Sequence, residues 1–191
     1  MKNVIVIGAS GSLASVVIEE LEKQDDVNLT LFLRNRGRLH KQYSSDVAII
    51  EGDVMDYLKL KEALEGQDIV YINLVGNLEA MTRNIVKAMK ECNVNRVIGI
   101  SSIGIYNIPL TSNLIPYRKL ADTLEESGLD CTVIRPDWFT YGNEVDYHIT
   151  RKGEPEVGGA LSRKSIATFI SEIIKNPELY KNENLGISKL N

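Results

Sequence analysis

The 191-residue sequence contains no apolar run approaching the roughly 18 residues that a membrane-spanning helix needs, so no membrane association is expected. Cysteine is scarce: Cys92 and Cys131 stand alone, with neither C-x-x-C spacing nor neighbouring ligands, and read as buried or semi-buried thiols rather than a disulfide or redox pair. Histidine is scarcer in useful positions, because His40 and His148 have no carboxylates arranged beside them, and no metal is expected. Cationic excess is absent too. Acidic residues number 26 against 22 lysines and arginines, a formal net charge of -4 that disfavours nonspecific binding of nucleic acid. No linker or repeat interrupts the chain, so residues 1–191 are expected to form one domain, and 43% hydrophobic with 25% charged residues is a globular composition. Reading Val4–Ile7 as part of a secretory leader would consume the chain's most informative turn, so the cytoplasm is the expected compartment.

That turn lies in KNVIVIGASGSLA, residues 2–14. Val4, Ile5, Val6 and Ile7 are β-branched and uninterrupted, as suits a strand covered on both faces. Gly8 follows at once, then Gly11, then a helix-compatible stretch from Ser12 to Lys23. Gly8 permits a tight strand-to-helix turn, and Gly11 lets the backbone approach a pyrophosphate resting on the first free N–H groups of the helix. Ala14 replaces the third glycine of the usual fingerprint and is still small enough for close helix–sheet packing. Ser10, Ser12 and Leu13 share the turn and join Gly8 and Gly11 as candidate cofactor contacts.

Strand and helix patterns alternate along the rest of the chain. Strands are expected at Val27–Leu33, Val47–Ile50, Ile69–Leu74, Val94–Ile100 and Leu129–Ile134, with helices at Tyr57–Leu64, Leu78–Glu91, Arg118–Glu126 and Lys164–Lys175. A short strand within Val145–Thr150 and an edge strand at Leu185–Ser188 complete a doubly wound α/β Rossmann fold, its central sheet predominantly parallel, with a small C-terminal cap region. Ser162 is placed to cap the last helix.

Ligands in such sheets bind beyond the carboxyl ends of the strands. Arg34 ends the second strand where an acid would bind a ribose 2′-OH and an arginine a 2′-phosphate, which favours NADP(H) over NAD(H). Asp53 and Val54 follow the third strand near the adenine end, with Asp53 open to a turn-capping role as well. Leu74, Val75 and Gly76 run past the nicotinamide side. Ser101 and Ser102 end the fifth strand at the rim, where Ser102 either orients a substrate or closes a local turn. Pro136 ends the sixth ladder, and Trp138 and Phe139 beyond it form either a wall over a bound ring or part of the core.

Taken together, IGASGSLA, LFLRN, EGDV, SSIGIY and SGLDCTVIRPDWF resemble the short-chain dehydrogenase/reductase superfamily, and more narrowly its atypical NAD(P)H-binding branch of NmrA-like and flavin-reductase-like proteins. The resemblance implies pyrophosphate contacts at Gly8, Gly11 and Ala14, a 2′-phosphate contact at Arg34, an adenine contact at Asp53, a rim serine at Ser102 and the family's Arg-Pro pair at Arg135 and Pro136. It departs where catalytically typical members carry a tyrosine and a lysine four apart: Tyr117 is followed four residues later by Ala121, and Lys119 lies only two away. The expected function is hydride transfer from reduced nicotinamide to a small flat electron acceptor such as a flavin or quinone, which asks little proton delivery of the protein. Ser102, Tyr106 and Tyr117 are the candidate catalytic groups, and Trp138 and Phe139 the candidate substrate contacts. The alternative is a noncatalytic nucleotide-binding sensor. Monomer and homodimer both remain open.

Overall fold

The computed structural model describes residues 1–190. Five helices flank a sheet of eight strands: β1 (Lys2–Ile7), β2 (Val27–Leu33), β3 (Ala48–Glu51), β4 (Ile69–Ile72), β5 (Arg96–Ile100), β6 (Asp130–Pro136), β8 (His148–Arg151) and β10 (Glu183–Ser188). Two short strands, β7 (Phe139–Thr140) and β9 (Leu161–Ser162), pair with each other outside it. The order across the main sheet is β3-β2-β1-β4-β5-β6-β10-β8, and β8 alone runs antiparallel to its neighbour.

Alternation along β1 shows why the sequence folds this way. Val4 and Val6 face one layer and Ile5 and Ile7 the other, and all four are fully buried. The first layer holds α1 (Ser12–Leu21) and α5 (Arg163–Lys175); the second holds α2 (Tyr57–Leu64), α3 (Leu78–Glu91) and α4 (Ile115–Glu125). A strand covered on both faces has no use for polar residues on either, so its sequence is a continuous apolar run. Because β1 pairs with both β2 and β4, chain direction across the sheet reverses there, and a crevice opens beyond its carboxyl end.

Several boundaries differ from the sequence reading. The Leu185–Ser188 segment is not an edge: β10 lies between β6 and β8, with Asn184–Ser188 buried, and β8 takes the edge position. The sixth strand runs past Ile134 and ends at Pro136, which stands in the last register pair, with Ile187, and whose carbonyl accepts from Ile103 N at 3.1 Å. Proline lacks a donor but keeps an acceptor. Helix α4 begins at Ile115, three residues before Arg118, with Pro116 in its first turn, where a missing N–H costs nothing. β4 stops at Ile72, leaving Asn73 and Leu74 free to shape the crevice.

The second layer is packed closely enough for one methyl group to matter. A Cβ on Gly99, in β5, would lie 2.4 Å from Leu124 Cδ1 and 3.3 Å from Leu120 Cδ2, both side chains being fully buried. Gly99→Ala is expected to destabilise the fold by about 1–3 kcal/mol in chemical denaturation. Adding Leu124→Ala, which alone should cost about 2–5 kcal/mol, is expected to give a double variant clearly less destabilised than the sum. Strict additivity would mean that the β5–α4 contact is not the constraint.

Candidate nucleotide-binding site

The crevice has a volume of about 380 Å³ and lies beyond the ends of β1, β2, β3 and β4. Its floor is the turn from β1 into α1. Gly8 adopts φ +92°, and a Cβ there would sit 2.1 Å from the backbone oxygen of Asn73, so only glycine lets the turn lie against the end of β4. Gly8 N and Ala9 N donate to Phe32 O at 3.0 and 3.3 Å, and Gly11 N donates to Gly8 O at 3.0 Å.

Helix α1 then begins without a side-chain cap and without an acidic residue in its first turn. Among the described residues, the N–H groups of Ser12, Leu13 and Ala14 have no hydrogen-bond partner, the next amide in line being Ser15 N, which donates to Gly11 O at 3.0 Å. Ser12 and Leu13 line the crevice, so free donors at the positive end of a helix dipole border it, an arrangement that fits a diphosphate. Asn73, at the end of an otherwise apolar strand, stands beside this turn, its Nδ2 3.1 Å from where a Gly11 Cβ would be.

At one end the crevice is bounded by Arg34, Asn35 and Arg38. Arg34 is exposed and has no hydrogen bond or ion pair among the described residues. Its neighbours are committed: Asn35 Oδ1 accepts from Gly37 N at 2.8 Å, and Arg36 N donates to Glu51 Oε1 at 2.8 Å. His40 Nε2 lies 3.2 Å from Ser10 O, tying this loop to the glycine turn. Asp53 also lines the crevice, while its Oδ1 accepts from Met55 N at 2.9 Å, so it closes the local turn as well. Val54, Leu74 and Val75 complete this wall together with Phe32, Gly52 and Met81.

Of the expected cofactor contacts, Gly8, Ser10, Gly11, Ser12, Leu13, Arg34, Asp53, Val54, Leu74 and Val75 all line the one crevice, and so does Phe139, expected as a substrate contact. Gly76, Ser101, Ser102, Tyr106, Tyr117, Pro136 and Trp138 do not. Gly76 adopts φ +114° and accepts from Leu78 N at 2.8 Å, shaping the loop into α3. Ser101 is buried and donates to Tyr117 O at 2.9 Å; Ser102 donates to Ile103 O at 3.1 Å. Tyr117 is half-buried and packs on the α2–α3–α4 layer.

Tyr106 belongs to a separate polar cluster. Its hydroxyl accepts from Asn184 Nδ2 at 2.7 Å, and its ring is flanked by Arg118, Arg135 and Lys152 at 4.8, 5.2 and 5.1 Å from the centroid. Arg135 is 1% exposed and pairs with Glu156, whose other oxygen accepts from Gly104 N at 2.8 Å. Burial pulls the Arg135 guanidinium below its ordinary pKa, opposed in part by the nearby Tyr106 and Glu125. Sequence reading missed Asn73, Phe32, Gly52 and Met81 as crevice residues. Asn73 carried a usable signal, a lone polar residue where an apolar strand runs out.

The close approach at Gly8 generates a prediction. Gly8→Ala should weaken binding of reduced nicotinamide dinucleotide at least tenfold in calorimetry and lower stability by about 1–3 kcal/mol, since the methyl group meets backbone rather than a movable side chain. Unchanged affinity in this variant would show that the turn is not the anchor.

Comparison with known proteins agrees with this geometry. The sequence model of the NAD(P)H-binding family matches residues 8–177. Cinnamoyl-CoA reductase 1 of Petunia hybrida is 30% identical over 161 residues, 74% of this chain, which spans only 46% of that protein's length. A Rossmann-fold NAD(P)-binding family protein of Shigella flexneri is 42% identical, with a TM-score of 0.92 and coverage of 99% of this chain and 94% of that one. A short-chain dehydrogenase/reductase of Veillonella parvula, solved in complex with NADP, shares the fold at 23% identity and a TM-score of 0.90, covering 98% of this chain and 94% of that one. With its glycine turn, open helix terminus and doubly wound sheet, the chain belongs to the NAD(P)H-binding family.

Proposed function

We propose that the protein is an NADP(H)-dependent oxidoreductase that delivers hydride to a small flat acceptor such as a flavin or quinone. The carrying observation is one crevice lined by the open start of α1, an uncommitted Arg34 and the aromatic Phe139. The residues fit the dinucleotide by their chemistry. Backbone N–H groups of Ser12, Leu13 and Ala14 would hold the diphosphate, and Arg34 would take a 2′-phosphate through charge-assisted hydrogen bonds.

When bound, reduced nicotinamide would supply two electrons and a proton as hydride, and the acceptor would take its second proton from water. The chain's own contribution is alignment. Phe139 offers an apolar face at the acceptor end, and the loop carrying Ser102 would orient the acceptor's polar edge. No tyrosine–lysine pair four residues apart is present on α4. Tyr117 precedes Ala121, and Lys119 Nζ lies 4.0 Å from a Glu79 carboxylate oxygen. Acceptors that need an enzyme-bound acid are therefore disfavoured.

A noncatalytic sensor is the second reading, favoured by the engagement of both Ser101 and Ser102 hydroxyls with backbone carbonyls. Stopped-flow mixing of pre-bound NADPH with flavins, quinones and small carbonyl compounds separates the two. Acceptor-dependent loss of the reduced-nicotinamide signal, faster than the protein-free control, is expected. Tight NADPH binding with no acceptor oxidising it would favour the sensor. Arg34→Ala is expected to weaken NADPH about tenfold or more while changing NADH little, and equal effects on both would remove the 2′-phosphate assignment.

A further inference from the structure

Arg163 opens α5, yet it is 9% exposed and is the first residue of a helix that has no acidic side chain in its first turn. Among the described residues its polar partners are the Thr140 carbonyl, at a long 3.4 Å from Nε, and the ring of Tyr141, 3.6 Å from the guanidinium carbon. Neither partner is an anion. The adjoining cation is treated differently: Lys164 pairs with Glu20. The loop's own carboxylate, Glu144, lies against Gly142 and forms no ion pair with Arg163.

The Arg163 guanidinium has no carboxylate partner and stands at the positive end of a helix dipole, a place that favours an anion. Stacking on tyrosine leaves the two terminal nitrogens without hydrogen bonds. Those nitrogens form a fork matched to a carboxylate, phosphate or sulfonate.

The surroundings say what would carry such a group. Arg163 follows the β7–β9 pair directly, and Thr140, whose carbonyl it touches, adjoins Phe139, the residue that lines the nucleotide crevice. Trp138, Tyr141 and Val145 nearby in the chain are 83%, 88% and 52% exposed. Isolated exposed aromatics need no explanation, but several on one short segment beside an unpaired guanidinium mark a surface for a flat apolar body with an anionic end.

We infer that Arg163 is an anion anchor of the acceptor site, selecting planar acceptors that carry a phosphate, carboxylate or sulfonate over uncharged ones of the same ring. The inference rests on the acceptor reading proposed above, deepening it from a flat acceptor to a flat anionic one.

Matched pairs isolate the charge: FMN against riboflavin, and 1,2-naphthoquinone-4-sulfonate against 1,2-naphthoquinone. Dissociation constants are measured by fluorescence titration of the full chain saturated with NADP⁺, which occupies the crevice's own phosphate contacts and prevents turnover. The anionic member of each pair is expected to bind about tenfold or more tightly. Arg163→Gln, which keeps a polar stem, should reduce that preference below twofold, Arg163→Lys should restore part of it, and both should leave NADP⁺ affinity unchanged. Raising salt should erode the preference in the parent protein and not in Arg163→Gln.

Equal binding of charged and uncharged members by the parent protein, absence of binding by all four, or a preference that survives Arg163→Gln would each overturn the assignment. A purely structural arginine would alter melting temperature without altering the charge discrimination. If the discrimination holds while no acceptor oxidises NADPH, the anchor stands and the oxidoreductase reading falls.

Discussion

The contact between Gly8 and the Asn73 carbonyl is the constraint on which the rest of the molecule depends. With no room for a Cβ, the chain leaves β1 pressed against the end of β4 and turns at once into α1. That geometry leaves the first N–H groups of α1 without partners, so the helix is held by its packing rather than by a cap. Leu13, Ala14, Val17, Ile18 and Leu21 are buried against β-strand residues and α5. The uncapped end, a modest local cost on the order of 1 kcal/mol, is the same feature that makes an anion site. Fold and site are built from one turn.

The two halves of the crevice differ in how they are supported. The nucleotide half comes from strand ends and the turns leaving them, so the sheet itself sets its geometry. Beyond Met81 only Phe139, on β7 outside the main sheet, lines the crevice, and the loops around it are joined to the fold by a separate polar cluster. Arg135 and Glu156 join β6 to the loop at Gly104, while Asn184 links Tyr106 to Glu125, which in turn holds Lys152. These groups depend on one another for satisfaction.

Local pattern made the nucleotide half readable. Four β-branched residues followed by glycine can hardly be anything other than a doubly covered strand entering a tight turn, and Arg34 stands out as a cation at a strand end. What local pattern does not carry is neighbourhood. Leu185–Ser188 looks like an edge because it is short and C-terminal, yet β8 folds back outside it, a fact held by residues 148–151 rather than by the segment itself. Phe32 and Gly52 enter the crevice as a pair, since a Cβ on Gly52 would lie 2.8 Å from the Phe32 ring, and neither shows this alone. Tyr106, read from sequence as a candidate catalytic group, ends among Asn184, Arg118, Arg135 and Lys152, partners drawn from four separate later segments.

The same distinction bears on the chemistry. In typical members of the short-chain dehydrogenase/reductase superfamily, which the sequence resembles, the helix after the fifth strand carries a tyrosine and a lysine four residues apart. Here the start of α4 is occupied otherwise: Arg118 Nε contacts both carboxylate oxygens of Asp122, at 2.8 and 3.0 Å, and the Tyr117 carbonyl receives the Ser101 hydroxyl. These bonds fasten α4 to itself and to β5, and none points a titratable proton toward the crevice. Within the proposed reaction, the protein can then select and align an acceptor but has no evident acid with which to assist it. Its substrates must be ones whose reduced form takes a proton from solvent unaided. Such compounds have extended, polarisable rings, and the exposed aromatic segment around Phe139 presents the apolar faces that would meet one.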